Sequence, residues 1–165
     1  MLRRIEDFQQ AWTHETAGTL KLLRLLTEAS LAQAVTPGGR TLGRLAWHIV
    51  LSLPEMGRHA GLTVAGPDEQ APLPSAAGMV ATYEQAARDV AAAVRAQWTD
   101  AQLGDEIPMY GESWPKGVVL SALIAHQTHH RGQMTVLMRQ AGLPVAGIYG
   151  PSRDEWAAMG MPPQE

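Results

Sequence analysis

Four stretches of this chain repeat their apolar residues every three or four positions, and none alternates convincingly as a strand would. The first runs from about Ile5 to Ala29, with Ile5, Phe8, Trp12, Thr16, Thr19, Leu23 and Leu26 on one stripe. The segment VTPGGR, Val35 to Arg40, breaks it. The second begins at Thr41, a residue suited to cap a helix, and carries Leu42, Leu45, Ile49 and Leu53. Pro54 lacks the backbone donor a helix needs, so a kink or restart is expected there. Gly61 to Pro74 reads as loop. The third helix follows Ser75, with Met79, Tyr83, Ala87, Val90, Val94 and Trp98 on its stripe. Gly104 to Ser113 reads as a connection with room for a short turn or hairpin. The fourth helix is expected to take Ser113 as cap and Pro115 in its first turn, and to end near Ala141 before Gly142 and Pro144. Ser152 and Glu155 have capping-box spacing, which predicts a short helix through Met159, ended by Pro162 and Pro163.

These elements predict an all-α fold: a four-helix bundle with long connecting loops and a short C-terminal helix, in one domain over residues 1–165. Globin-like or repeat packings of the same helices are the alternatives. Apolar residues make up 45% of the chain, enough for a sizeable core. A net charge of -3 gives no basic face for nucleic acid. No apolar run reaches the roughly 20 residues of a membrane span, and the N-terminus lacks the apolar stretch of a secretory signal. The expected setting is cytoplasmic, with no membrane and no nucleic-acid partner. Cysteine is absent, which removes disulfides, thiolate ligands and a cysteine nucleophile.

Histidine, aspartate, glutamate and the weaker oxygen donors are left to hold a metal. Of the six histidines, His126, His129 and His130 crowd into AHQTHHRGQ. The fourth helix has its stripe at Val119, Leu123, His126, His130, Gln133 and Leu137, so two histidines stand where leucine is expected. They are four apart, on one face, and can converge on one ion. A buried imidazole must satisfy both ring nitrogens, and a metal does so at one of them. The alternative, of equal weight for a lone pair, is a core histidine pair bonded to carboxylates, hydroxyls or water. His48 lies in LAWHIVLSL beside Leu45 and Ile49 and supplies the third ligand. His59 is too far along the second helix to join it. His14 is expected in solvent, His129 at a helix–helix boundary, and Arg131 on or near the surface.

These residues carry a resemblance. AHQTHHRGQMTVLMRQAGLP resembles the fourth-helix signature of the DinB/YfiT-like superfamily, and LGRLAWHIV its second-helix motif. GESWPKGVVL and IYGPSRDEW resemble the DinB branch. The resemblance implies a four-helix bundle whose three histidines, His48, His126 and His130 by motif match, bind a divalent ion: zinc or nickel first, with iron, cobalt or manganese as further candidates. It also implies a homodimer, and relatives that include low-molecular-weight-thiol S-transferases, a thiol-dependent isomerase and many members without a known reaction.

Three neutral imidazoles leave an ion its full charge and an open position, suited to lowering the pKa of water or to holding a thiolate. With no cysteine in the chain, any thiol is a substrate or cofactor. The leading expectation is a metal-dependent enzyme of thiol S-transferase type acting on a small molecule. The alternatives are a metal-dependent hydrolase, or a non-catalytic dimeric stress-response or binding protein with a stabilising or vestigial site. The base candidates, Glu15 and Glu112, read first as surface carboxylates. Trp12, Trp47 and Trp98 read as core or pocket walls, and Trp114 and Trp156 as site mouth or dimer contact.

Overall fold

The computed structural model describes residues 2–162; Pro163, one of the two prolines expected to end the C-terminal helix, lies outside them. The fold is all-α as expected, with one small hairpin. Helix α1 spans Ile5–Leu23, α2 Leu42–His59, α3 Ala76–Gln97 and α4 Lys116–Gln140. Strands β1 (Glu106–Met109) and β2 (Glu112–Pro115) pair antiparallel between α3 and α4. Helix α2 packs against α3 and α4, and α1 packs against the same two, so α1 and α2 lie across the bundle from each other. One apolar cluster joins all four, from Phe8 and Trp12 through Ile49 and Leu53, Met79 and Val90, to Leu123 and Met134.

Local chemistry sets the starts. The Thr41 hydroxyl accepts the Arg44 N–H at 3.1 Å and the Ser75 hydroxyl accepts that of Gly78 at 3.1 Å. Four expectations change. Helix α1 stops at Leu23, because Thr27 and Ser30 cap each other and start a 3₁₀ turn over Glu28–Ala32. Leu26 keeps its burial from the connecting loop. Helix α2 runs unbroken past Pro54: nearly every residue around it is buried, and that packing holds the helix across one missing hydrogen bond. Ser113 caps nothing; it lies in β2 and its hydroxyl donates to Glu106 at 2.7 Å. Pro115 holds the cap position, and Lys116 opens α4. The C-terminal helix is two 3₁₀ turns, Arg153–Glu155 and Ala157–Met159. The Glu155 carboxylate does accept the Ser152 N–H, at 2.8 Å.

The hairpin turn is Tyr110–Gly111, with φ of 52° and 85°. Positive φ at both central residues is what a tight two-residue hairpin requires. Here it swings the Tyr110 ring back toward α2, where its hydroxyl reaches Glu55 at 2.8 Å. No helix among the described residues is long and apolar enough to cross a membrane.

Candidate metal centre

The contact between α2 and α4 brings three imidazoles together. His126 and His130 stand one turn apart on α4, and His48 meets them from α2. The His126 Nε2 lies 3.2 Å from the Nε2 of His48 and 3.2 Å from that of His130. One ligand atom from each of the three falls within 4.8 Å of the others. Two nitrogens bound to one zinc at about 2.0–2.1 Å in a tetrahedral arrangement stand roughly 3.3 Å apart, so the spacing suits a cation between them. The His130 Nδ1 lies 2.7 Å from the Gln133 side-chain oxygen. An amide oxygen only accepts, so Nδ1 carries the proton and Nε2 presents its lone pair. The His126 Nδ1 is buried without a partner among the described residues.

Burial pushes His48 and His126 down to about 4, with nearby His130 and Arg40 adding repulsion. Burial lowers His130 too, against the opposing Gln133 hydrogen bond. All three are therefore neutral at pH 7, the form in which imidazole ligates a metal. The set opens on two cavities. A cavity of about 380 Å³ is lined by His48, His126, Ser52, Glu55, Tyr110 and Trp114. A second, of about 250 Å³, runs past His48 to Arg40 and Arg44.

The model of the DinB family matches residues 1–165. This chain belongs to the DinB family. It is 45% identical over 162 residues to the uncharacterized protein YrdA of Bacillus subtilis (strain 168), covering 98% of this chain and 97% of YrdA. A solved DinB-like protein from Bacillus cereus shares 45% identity and a TM-score of 0.86, over 90% of this chain and 100% of that one. YfiT from Bacillus subtilis, described as a probable metal-dependent hydrolase with an unusual four-helix bundle topology, matches at a TM-score of 0.63 with 18% identity, over 84% of this chain and 87% of YfiT.

The remaining histidines of this DinB-family chain stay outside the set. His129 is exposed, not at a helix boundary, and only the edge of its ring approaches His130. His59 pairs with Glu55 at 3.4 Å and stacks on Tyr110. His14 is exposed, as expected. The fourth-helix stripe itself needs correction. Its buried face is Leu123, Gln127, His130, Met134 and Leu137, while Gln133 is exposed and His126 half-buried. Gln133 therefore acts from outside the core, through His130.

Two further expectations reverse. Arg131 is not at the surface but 2% exposed, and Glu15 is buried as its ion-pair partner rather than solvated. The Arg131 guanidinium also donates to the Glu15 backbone oxygen at 2.6 Å and to the Thr19 hydroxyl at 3.1 Å. The Tyr149 hydroxyl, from the loop after α4, donates to the Glu15 carboxylate at 2.7 Å. That loop crosses α1 at Gly18, where a side chain would meet Ile148 at 2.7 Å. Beside this network the Tyr83 hydroxyl donates to the side-chain oxygen of fully buried Gln127. Burial alone would raise Glu15; the hydrogen bonds from Arg131 and Tyr149 and the Arg131 charge outweigh it and hold the carboxyl below its ordinary range. Neither Glu15 nor Glu112, whose carboxylate accepts from the Trp114 indole, lines the cavities at His48. Trp12, Trp47 and Trp98 are core and Trp114 is a cavity wall, while Trp156 is half-buried in the C-terminal turns.

Proposed function

We propose that this DinB-family chain is a metal-dependent S-transferase that joins a low-molecular-weight thiol, through its sulfur, to an electrophilic small molecule. The observation that carries the reading is a donor set of imidazoles alone, opening onto a cavity, with no carboxylate bonded to it among the described residues. A divalent ion, zinc or nickel by donor type, would supply undiminished positive charge, which favours the deprotonated form of a thiol at neutral pH. Such activation asks for no base bonded to the imidazoles; the carboxylates of the cavity, Glu55 and Glu69, form no hydrogen bond to them among the described residues. His48, His126 and His130 would hold the ion, and Gln133 keeps the His130 lone pair turned inward. Trp114 and Tyr110 wall the cavity beside His48 and His126. With a chlorinated aromatic acceptor, a carbon–sulfur bond forms, the carbon–chlorine bond breaks, chloride leaves with the electron pair, and the thiol proton passes to solvent.

The test is turnover of such an acceptor by metal-loaded protein with added thiol. Loss of activity in His130→Ala is expected; equal rates for variant and wild type would sink the proposal. A hydrolase is the second reading, favoured by the description of YfiT, which shares the fold. It predicts ester or amide cleavage without thiol, and strict thiol dependence excludes it.

A further inference from the structure

The face of α2 that carries His48 changes sign along its length. Arg44 precedes the histidine by one turn, and Ser52 and Glu55 follow it by one and two turns. The loops on either side extend the pattern. Arg40 lies before α2 and Glu69 after it, and both line the cavity of about 250 Å³ with Arg44, His48, Ser52 and Glu55. The neighbouring cavities separate the charges. The one walled by Tyr110 and Trp114 contains Glu55 and Glu69 and no arginine. The one walled by Val35 and Leu137 contains Arg40 and no carboxylate.

These charges share a cavity without neutralising one another. Among the described residues Arg40, Arg44 and Glu69 form no salt bridge. Glu55 is fixed in place by the Tyr110 hydroxyl, at 2.8 and 2.9 Å from its two oxygens, and by His59. Such a cavity discriminates by sign at each end. The eleven-residue step from Arg44 to Glu55 corresponds to roughly 16 Å of helix axis, and the side chains reach inward from both ends.

We propose that the cavity at His48 binds an elongated zwitterion of amino-acid or short-peptide type, its carboxylate toward Arg40 and Arg44 and its ammonium toward Glu55 and Glu69. The placing of its sulfur at the three histidines rests on the S-transfer reading above; the charge recognition does not.

The two are tested apart with a thioether, which cannot form a thiolate. Calorimetry of the full chain would compare the tripeptide glycyl-S-methylcysteinyl-glycine, with one ammonium and one carboxylate at opposite ends, with its N-acetyl derivative, which keeps only the anion, and its methyl ester, which keeps only the cation. The zwitterion is expected to bind about 10-fold more tightly than either, the size of effect expected for a hydrogen bond to a charged group. Arg44→Ala should weaken the zwitterion and the anion about 10-fold and spare the ester, and Glu69→Ala should do the converse. Both positions are exposed, so both variants keep the fold. The inference is overturned if the zwitterion binds no tighter than the other two, fails to bind, or is unaffected by both substitutions. If this sign pattern holds while turnover shows no thiol dependence, the S-transfer reading falls and the zwitterion site stands. If turnover depends on thiol and no sign pattern is found, the zwitterion site falls and the S-transfer reading stands.

Discussion

His130 and Arg131 are consecutive on α4, and they face two different kinds of neighbourhood. Arg131 enters a closed polar cluster in which Glu15, Thr19, Thr128 and Tyr149 take up both of its terminal nitrogens, its buried Nε alone lacking a partner among the described residues. His130 enters an open one, where its Nε2 lies 3.2 Å from that of His126 and His48 completes the set. A buried charge whose terminal donors all meet protein acceptors is structural, and its neighbours explain it. Converging lone pairs without a proton between every pair ask for a cation that the protein itself does not supply. The same helix thus carries a finished interaction on one side and a receptive one on the other.

The largest effect should come from breaking the finished side. Arg131→Met leaves the Glu15 carboxylate buried without its cation, which costs about 3–5 kcal/mol. For a chain of this length that is a fall in Tm of roughly 6–20 °C, readable by thermal melts. The double variant with Glu15→Leu should recover most of the loss, since no uncompensated charge remains. Acid should act on the same pair. Glu15 has a folded pKa below its ordinary value of 4.5, so its stabilisation is present above that pH and is lost as pH falls through the lower folded value. The open side titrates in another window. His48 and His126 are held down to about 4 from 6.5, so the unfolded chain takes up more protons between those limits. Metal-free protein should lose stability as pH falls from 6.5 toward 4, and His48→Ala should flatten that slope while leaving the one below 4.5 intact.

Filling the receptive side should have the next largest effect. Zinc or nickel at 100 times its dissociation constant is expected to stabilise the wild type by about 2.7 kcal/mol. His130→Ala should abolish that gain in a melt with and without chelator, whereas Arg131→Met should keep the gain on its lower baseline. If chelation moves neither melt, the metal reading fails. A smaller effect separates ligand from support. Gln133→Leu removes the acceptor that orients His130 and should weaken metal affinity about 10–100-fold without abolishing it.

The helices were legible because apolar period and cap chemistry are local, as at Thr41 and Ser75. The meeting of the three histidines was legible because His126 and His130 stand four apart on one helix face and His48 lies in an apolar run, although of the α4 pair only His130 belongs to the buried stripe. The end of α1 was hidden because Leu26 keeps the helical period after the backbone has left the helix. The polar cluster was hidden for a deeper reason. On α4 the sets 119, 123, 126, 130, 133 and 119, 123, 127, 130, 134 both satisfy three- and four-residue spacing, and they disagree on whether Gln127 or Gln133 is inside. What decides between them is Tyr83 from α3 and Glu15 and Thr19 from α1, residues far away in sequence.

That register choice yields the smallest of the expected effects. Gln127 is fully buried, and its side-chain oxygen accepts from the Tyr83 hydroxyl and, at 3.2 Å, from Thr19. Tyr83→Phe keeps the ring in the core and removes one of two donors. Because Thr19 still serves the amide oxygen, the loss should stay near about 1 kcal/mol, at the low end of what an unmade buried hydrogen bond costs. Gln127→Leu, by contrast, would strip the acceptor from both hydroxyls and should exceed it. Urea unfolding of the two variants would measure the difference. Equal losses would mean that Thr19 takes no share, and that Gln127 is held by α3 alone.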